Sequence, residues 1–333
     1  MGDRRRKDSA SLDPVMMRES DILERFRVTG GGKFRLADID PGDVCRLDVE
    51  KEGAKEALAA GVARLRDLQE RLYAQGRWSV LIILQALDAA GKDGTIEHVM
   101  SGINPQGCEV TSFKQPSATE LRHDFLWRGT RALPERGRIG IFNRSYYEEV
   151  LVARVHRSAL DQELLPPALV TGRIWKERFE SIRDFERHLA RNGVAILKFF
   201  LHISKEEQRR RLLARIEEPS KHWKFSASDL AERDYWDDYM RAYEKAIRHT
   251  ATKAAPWHVV PADHKWFAHL FVAAAIVEKI RSLDPRYPEV GEDRLADMEQ
   301  ARRRLLHEGE GRRTRRHRRK EAEGISPSRQ RAG

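Results

Sequence analysis

The sequence has few cysteines and no clustered metal ligands. Only Cys45 and Cys108 occur, and they show neither metal-binding spacing nor a disulfide framework. The twelve histidines are scattered and form no ligand cluster. These absences argue against a zinc centre and against a disulfide-stabilised secreted domain. They favour a protein of the reducing cytoplasm.

Long apolar runs are also missing. No stretch approaches the roughly 20 apolar residues of a membrane-spanning helix, so a membrane protein is excluded. No apolar segment follows the basic start of the chain, so we expect no signal peptide. Hydrophobic residues nevertheless make up 40% of the 333 positions, which excludes global disorder and allows one large α/β domain or two small ones.

The net charge of +10 is concentrated at the two ends of the chain. Residues 302–331 hold twelve Lys or Arg and four Glu, and residues 1–10 hold four basic and two acidic residues. The remaining stretch, 11–301, is neutral overall. This distribution argues against a basic nucleic-acid-binding body, although the tail alone could still bind nucleic acid.

One stretch, residues 85–95, has the layout of a phosphate-binding loop. It follows residues 78–84, an apolar run typical of a strand buried on both faces, and it leads into a predicted helix. Gly91 and Lys92 lie where such loops place a turn glycine and a lysine. Backbone N–H groups and the positive helix end would surround phosphates, and the lysine would neutralise their charge.

The loop departs from the pattern G-x-x-x-x-G-K-[ST] at two positions. Ala86 replaces the first glycine, and Asp93 replaces the Ser or Thr that usually binds magnesium. The alternative is an ordinary strand–helix corner. Such a corner would have no use for Lys92 or for Asp88 inside the turn.

A second polar cluster follows the short apolar strand predicted within residues 137–145. In phosphate-loop kinases the neighbouring strand ends in an acid that organises magnesium, and here that place is taken by Asn143, followed by Arg144. Because an amide cannot neutralise a metal charge, we expect Asp88 to supply more of it. The alternative is that these residues only cap the next helix, in which role Ser145 is also suitable.

Further basic residues follow predicted strands. Lys114 ends one of them and is either a phosphate ligand or a solvated loop residue. Arg128 lies in a helix predicted over 117–131 and could face the site or the solvent. Arg211 and Arg215 share one face of a later helix and could close over an anion.

The alternation of helical and strand patterns predicts an α/β fold of about five parallel strands with helices on both faces. The strands are predicted at 78–84, 109–114, 137–145, 194–203 and 256–261. We expect a flexible arm over 1–20, a core domain over 21–290 with a mobile helical lid at about 205–250, and a basic, disordered tail over 291–333.

Seven stretches between about residues 21 and 287 together resemble the polyphosphate kinase 2 family. They read LQALDAAGKDGT at 84–95, NPQG at 104–107, SFK at 112–114, DFLWR at 124–128, IFNRS at 141–145, KHWKF at 221–225 and PADHKW at 261–266. The resemblance implies a phosphate-loop, thymidylate kinase-like three-layer fold. It also implies transfer of phosphoryl groups between inorganic polyphosphate and nucleotides (ADP to ATP, AMP to ADP or GDP to GTP), with magnesium or manganese.

The resemblance also implies roles for individual residues. Asp88, Lys92, Asn143 and Arg144 would be catalytic, with Asp88 also binding the metal. Phosphates and nucleotide would be bound by Ala89, Ala90, Gly91, Asp93, Gly94, Lys114, Arg128, Arg211, Arg215, Lys221 and Lys224.

The Asn-Arg-Ser form of the second motif resembles a subgroup that accepts both nucleoside mono- and diphosphates. Tyr146 and Glu149 stand where that subgroup usually has His and Asp, so the acceptor preference stays open. The polymer is favoured over ATP as donor because the lid and arm carry more cations than one triphosphate needs. An ATP-dependent kinase is the first alternative, and a nucleic-acid-binding protein is the second. We further expect a cytoplasmic homo-oligomer, either a dimer or a tetramer.

Overall fold

The computed structural model describes residues 14–47 and 51–322. The chain divides into two compact units, of which the first runs to Arg286 and the second begins at Tyr287. The described part of the first unit contains a single six-stranded sheet. Among the described residues, no helix combines the length and the hydropathy of a membrane span.

The sheet has the strand order β1-β6-β5-β2-β4-β3. Its strands are β1 (Arg27–Val28), β2 (Ser79–Gln85), β3 (Cys108–Ser112), β4 (Ile139–Asn143), β5 (Val194–His202) and β6 (Trp257–Pro261). The five predicted strands are confirmed, and all of them run parallel. The sequence did not predict β1, a two-residue edge strand that pairs antiparallel with β6.

Strand β2 lies at the centre because both of its faces are apolar and buried. It pairs with β4 on one side and with β5 on the other, and Leu84 stands opposite Asn143. The polar segments that follow β2 and β4 therefore leave the sheet side by side. This register brings residues 56 positions apart into contact.

Helices cover both faces of the sheet. They are α1 (Pro14–Arg25), α2 (Lys51–Gln75), α3 (Lys92–Val99), α4 (Trp127–Arg131), α5 (Glu148–Val155), α6 (Arg157–Asp161), α7 (Ile174–Arg191), α8 (Lys205–Glu217), α9 (Ala227–Glu232), α10 (Trp236–Thr250) and α11 (Lys265–Ser282). On one face α11 packs against α1, α2 and α3, and on the other α10 packs against α5 and α7. Each face has its own apolar core, so the domain has three layers.

The helix predicted over 117–131 is wrong as a single element. A 3-10 turn at Glu120–Arg122 is followed by an extended residue, His123, and only then by α4. The break occurs because the side chain of Asp124 accepts a hydrogen bond from the N–H of Leu126 at 3.0 Å and starts a new turn. The imidazole of His123 stacks on the Trp127 ring at 3.9 Å.

The predicted lid region, 205–250, contains two kinds of structure. Helices α8 and α9 and the 3-10 turn Pro219–Lys224 between them carry many exposed side chains. Helix α10 instead buries an apolar face that includes Tyr243 and Ile247. Because that face belongs to the core, the stretch with many exposed side chains ends near Tyr235.

Two stretches predicted to be flexible or disordered contain helices among the described residues, while residues 323–333 lie outside those residues. Helix α1 begins at Pro14, within the stretch predicted as a flexible arm, while residues 1–13 lie outside the described residues. The second unit contains α12 (Glu292–Ala322), a helix of 31 residues where a disordered tail is predicted. Low apolar content and high charge predicted disorder, but Arg and Glu three or four positions apart support a helix.

Candidate active site

The loop of residues 86–91 leaves the carboxyl end of β2 and leads directly into α3. Two of its residues, Ala89 and Gly91, have left-handed backbone conformations with φ of 62° and 105°. Glycine tolerates that conformation without strain, which explains why Gly91 precedes the helix. The turn aims the first N–H groups of α3 toward the space above the sheet.

Lys92 is folded across this loop. Its Nζ donates hydrogen bonds to the carbonyl oxygens of Ala86 at 2.8 Å and Leu87 at 3.2 Å. Burial lowers the pKa of Lys92, while the nearby carboxylate of Asp88 acts in the opposite direction. The lysine predicted to bind phosphate is thus held inside the loop. Its ammonium group lies where it would contact a phosphate that enters the loop.

Two polar contacts join the loop to the end of β4. Arg144 Nη2 donates to Asp88 Oδ1 at 2.8 Å, and Asn143 Nδ2 donates to Asp93 Oδ1 at 2.7 Å. The other carboxylate oxygen of Asp88 has no hydrogen-bond partner among the described residues. The structure therefore brings together the four residues predicted to be catalytic.

Arg211 holds the loop from the side of α8. Its Nη1 donates to the carbonyl oxygens of Ala90 at 2.7 Å and Ala89 at 3.3 Å. Its Nη2 donates to Ala262 O at 2.6 Å, and its Nε donates to Glu207 Oε1 at 2.5 Å. The guanidinium is buried and hydrogen-bonded to backbone carbonyls, whereas the resemblance implies that it binds phosphate or nucleotide.

The other predicted lid cations are more accessible. Arg215 Nη1 donates to Asp229 Oδ2 at 2.6 Å and to Lys224 O at 3.2 Å, so it joins α8 to the segment before α10. Lys221 pairs with Glu218 at 2.5 Å. The Lys224 ammonium lies 4.9 Å from the ring centroid of an exposed tryptophan at position 223.

Arg128 lies beneath the loop that follows β3. Its Nη1 donates to the carbonyl oxygen of Lys114 at 2.8 Å, and its Nη2 donates to Glu149 Oε1 at 3.1 Å. The side chain of Lys114 is exposed. Arg128 is buried, and its Nε has no hydrogen-bond partner.

A cavity of about 710 Å³ opens over the loop, and we call it the cationic cavity. Nine basic and three acidic residues of the described chain line it. The basic residues are Lys92, Lys114, Arg144, Arg210, Arg211, Arg215, Lys221, Lys224 and Lys265, and the acidic residues are Asp88, Asp93 and Glu218. This excess of positive charge suits a polyanion.

A second cavity, of about 460 Å³, has the opposite charge, and we call it the acidic cavity. Eight acidic and four basic residues of the described chain line it. The acidic residues are Asp88, Glu120, Asp124, Glu148, Glu149, Glu163, Asp229 and Glu232, and the basic residues are Lys114, Arg128, Arg144 and Arg233. Asp88, Lys114 and Arg144 line both cavities, so the two spaces meet at the predicted catalytic pair.

Two acids of the acidic cavity, the half-buried Glu148 and the buried Glu149, were not predicted as site residues. Burial raises the pKa of Glu148, and Arg144 and Lys92 oppose that shift. Burial and, after it, the charge of Glu163 raise the pKa of Glu149 to about 7. Their signal in the sequence was the Glu-Glu pair that begins three residues after the end of the second motif.

Tyr146, where the resemblance led us to expect His, belongs to the core. Its side chain is fully buried, and its hydroxyl donates to Glu186 Oε1 at 3.0 Å. It is not among the residues that line either cavity.

The sequence did not predict Arg210 and Lys265 as site residues, although both line the cationic cavity. They lie within stretches that the sequence identified, but the spacing of residues along a helix does not show which side chains face the loop.

The donor set fits a cation that relies on substrate for most of its ligands. Among the described residues, no three His, Cys, Asp or Glu residues come close enough together to hold a metal ion. Magnesium at phosphoryl-transfer sites usually takes one or two carboxylates and completes its shell with phosphate oxygens and water. Asp88, with one carboxylate oxygen unpartnered, meets that requirement.

Comparison with protein families gives one match over most of the chain. The model of the family described as Polyphosphate kinase 2 (PPK2) matches residues 48–288. The match covers the loop, both motif strands and α8 to α11. It ends before α12.

Individual proteins are similar over the same region. An ADP-polyphosphate phosphotransferase of Rhodopseudomonas palustris is 56% identical over 284 residues, covering 85% of this chain and 98% of that protein. An AMP/ADP-polyphosphate phosphotransferase of Meiothermus ruber is 47% identical over 267 residues, covering 80% and 96%. The crystal structure of Polyphosphate Kinase 2 from Arthrobacter aurescens TC1 is 42% identical, with a TM-score of 0.76 over 87% of this chain and 96% of that one.

Proposed function

The chain belongs to the polyphosphate kinase 2 family and is a kinase-type transferase acting between polyphosphate and nucleotides, and we propose that Asp88, Lys92, Asn143 and Arg144 form its catalytic centre. We propose ADP as the main acceptor. AMP is the second acceptor, because the relative from Meiothermus ruber is named for both. GDP is the third nucleotide to be compared.

The observation that carries the assignment is the meeting of two oppositely charged cavities at Asp88 and Arg144. The cationic cavity suits a chain of phosphates, each with a negative charge. The acidic cavity, which also holds Arg128 and aromatic side chains such as Tyr239, suits a nucleotide whose base and sugar are neutral. Phosphates of donor and acceptor would then approach each other at the shared residues.

The reaction is an in-line displacement. An oxygen of the acceptor's terminal phosphate attacks the terminal phosphorus of the polymer, and the bond from that phosphorus to its bridging oxygen breaks. The nucleotide gains one phosphoryl group, and the polymer is released one unit shorter. Because the attacking phosphate is already ionised, the reaction needs no strong general base.

The residues of the loop act by position and charge. Lys92 exchanges its bonds to loop carbonyls for bonds to a donor phosphate, and the N–H groups of residues 89–94 bind the same phosphate. Arg144 neutralises charge on the group in transfer while it orients Asp88. Arg128 binds the acceptor phosphate from the acidic cavity. Arg215, Lys221 and Lys224 bind the polymer farther along, while Arg211 fixes the loop that all of them need.

Phosphoryl transfer of this kind uses a divalent cation, and we propose magnesium, which manganese can replace, held by Asp88. When bound, the cation neutralises charge on the reacting phosphates. Asn143 cannot add negative charge there, and in the structure its amide instead fixes Asp93. Asp88 is therefore the one loop carboxylate that combines an unpartnered oxygen with a position in both cavities.

The test is a direct assay of the purified chain with magnesium, polyphosphate and either ADP, AMP or GDP. We expect ATP to form fastest from ADP, and chelation with EDTA to stop the reaction. A parallel assay with ATP as the only donor and AMP as acceptor separates the ordinary nucleotide-kinase alternative. Transfer from ATP but not from polyphosphate would overturn the proposal.

Two further expectations are proposed alongside it. We propose a cytoplasmic enzyme that forms a dimer or a tetramer, and the mass of the purified protein in solution checks the second point. A monomer with full activity would show that the catalytic centre needs no second copy.

A further inference from the structure

The second unit carries a density of positive charge that the catalytic centre does not use. Helix α12 spans 31 residues, about 46 Å at 1.5 Å per residue. Its first ten residues hold four acidic residues and one basic residue. From residue 302 to its end it holds ten basic and three acidic residues.

The basic side chains at the start of that stretch are exposed. Arg302, Arg303 and Arg304 are 68%, 75% and 84% accessible, and they pair only loosely with Glu299 and Glu308 of their own helix, at 3.5–3.6 Å. Exposed pairs of this kind contribute little to stability. The three guanidinium groups can therefore exchange these partners for a polyanion at little cost.

The family match does not extend to this helix, since it ends at residue 288. The cationic cavity already supplies nine basic residues around the reacting end of the polymer. The charge on α12 is thus additional to what one round of transfer requires.

We propose that α12 is a second, non-catalytic binding site for polyphosphate, which retains long chains between successive transfers. The proposal rests on the proposed function, because it assumes that this polymer is the donor. The stretch 302–322 contains no Phe, Trp or Tyr on which a base could stack. A segment with basic but without aromatic side chains can bind phosphates but cannot stack on bases, which favours polyphosphate over nucleic acid as its ligand.

Two sites on one chain act together only if a single ligand reaches both. A long polymer held by α12 stays at a high effective concentration near the cationic cavity. A short oligophosphate that fills only the cavity gains nothing from the helix. Dependence on chain length is therefore the signature of the second site.

The experiment compares the full chain with a chain lacking residues 302–333, using ADP as acceptor. Donors are long-chain polyphosphate and linear hexaphosphate. For the long donor we expect truncation to raise KM about tenfold and to reduce the dependence of KM on salt. For hexaphosphate, KM and kcat should stay within about twofold.

A matched pair of variants separates a local site from a general effect of charge. R302Q/R303Q/R304Q removes three exposed cations from α12, and glutamine keeps the helix propensity of arginine. R173Q/K176Q/R187Q removes three exposed cations that line neither cavity, two from α7 and one from the residue just before it. We expect the first variant to raise KM for the long donor about threefold and the second to leave it unchanged.

A binding measurement without nucleotide completes the test. End-labelled long polyphosphate should bind the full chain more tightly than the truncated one, and duplex DNA should compete weakly at the same salt concentration. Equal effects of truncation on long and short donors, equal effects of the two triple variants, or stronger binding of DNA would each overturn the second site. If the full chain fails to use even hexaphosphate, the proposed function itself fails.

Discussion

Asp88 lies in the loop and Asp93 lies five positions later in the first turn of α3, and their surroundings differ. Each carboxylate accepts one side-chain hydrogen bond at Oδ1, Asp93 from Asn143 and Asp88 from Arg144. Only Asp88 lines both cavities. A substitution of Asp93 is therefore a matched control for the same substitution of Asp88.

Replacing Asp88 with Asn should reduce kcat on the order of 10³-fold, because the amide can accept the bond from Arg144 but cannot neutralise a cation. Lys92→Ala should have an effect of similar size. Asp93→Asn should cost less than about tenfold. ATP formation from polyphosphate and ADP measures the rates, and thermal unfolding checks that each variant is folded. Equal losses for Asp88→Asn and Asp93→Asn would remove the special role of Asp88.

Glu149 gives a prediction about pH and stability. Burial raises its pKa from 4.5 to about 7, so the folded state binds its proton more tightly than the unfolded state does. This contribution to stability is complete below pH 4.5 and is lost as pH rises through 7.

Replacing Glu149 with Gln should abolish this loss of stability at high pH, because glutamine has no acidic proton to release. The free energy of unfolding of the variant, relative to the parent, should increase by on the order of 3 kcal/mol between pH 4.5 and 8. Urea denaturation at several pH values measures the difference. Glu135→Gln, at a carboxylate that is 75% exposed, is the control and should show no such trend. A flat difference for Glu149→Gln would mean that the carboxyl is ionised throughout.

Among the elements, the phosphate loop depends on α8 to keep its shape. Arg211 joins the loop carbonyls, Glu207 and the end of β6 through one buried guanidinium. Its neighbour Arg210 pairs with the same Glu207 but has a side chain that is 69% exposed. The two arginines thus share a partner and differ in burial.

Arg211→Lys should lower the free energy of unfolding by about 3 kcal/mol, because one ammonium cannot replace bonds to several buried acceptors. Arg210→Lys should change it by less than about 1 kcal/mol. Chemical denaturation measures both. The first variant should also lose turnover, since the loop would no longer be held. Similar stabilities for the two variants would show that the clamp contributes little.

Local patterns predicted the elements well where one face is apolar. The five parallel strands and the loop after β2 were predicted because continuous apolar runs and a Gly-Lys turn have few other solutions. The break at His123 was missed because it depends on the side chain of Asp124 competing with the helix backbone. The helix in the tail was missed because its support comes from charge pairs rather than from an apolar face.

The sequence predicted which residues form the catalytic centre, but it did not predict the two cavities around them. Asp88, Lys92, Asn143 and Arg144 meet because parallel strands end at one edge of the sheet, a rule that sequence order reveals. The opposite charges of the two cavities depend on which side chains each helix turns inward. The position of Arg211 likewise depends on carbonyl groups 51 and 121 residues away, which no local pattern contains.

At the scale of the whole molecule, three buried histidines contribute to the response to acid with the opposite sign to Glu149. Burial lowers the pKa of His202 and His269 to about 4 and that of His258 to about 3. Their neutral forms are favoured in the folded state, so the stability they contribute is complete above pH 6.5 and is lost as pH falls below it.

Acidification from pH 6.5 to pH 5 should therefore destabilise the protein by about 1.4 kcal/mol per pH unit for each of these histidines. His258→Phe should reduce this slope by one such increment, since a phenyl ring can still stack on Phe199. His188→Gln, at an exposed position of α7, is the control and should leave the slope unchanged. Urea denaturation between pH 5 and pH 7 measures the slope, and an unchanged slope in His258→Phe would contradict the assignment.

The central place of β2 has a consequence for how the protein acquires activity as it folds. The loop is completed by Arg144, 56 positions from Asp88, and by Arg211, 121 positions from Ala90. Contacts between such distant residues form slowly because the intervening chain must first be ordered. During refolding, helix signals should recover before turnover does, and the delay would report the moment at which the three central strands assemble.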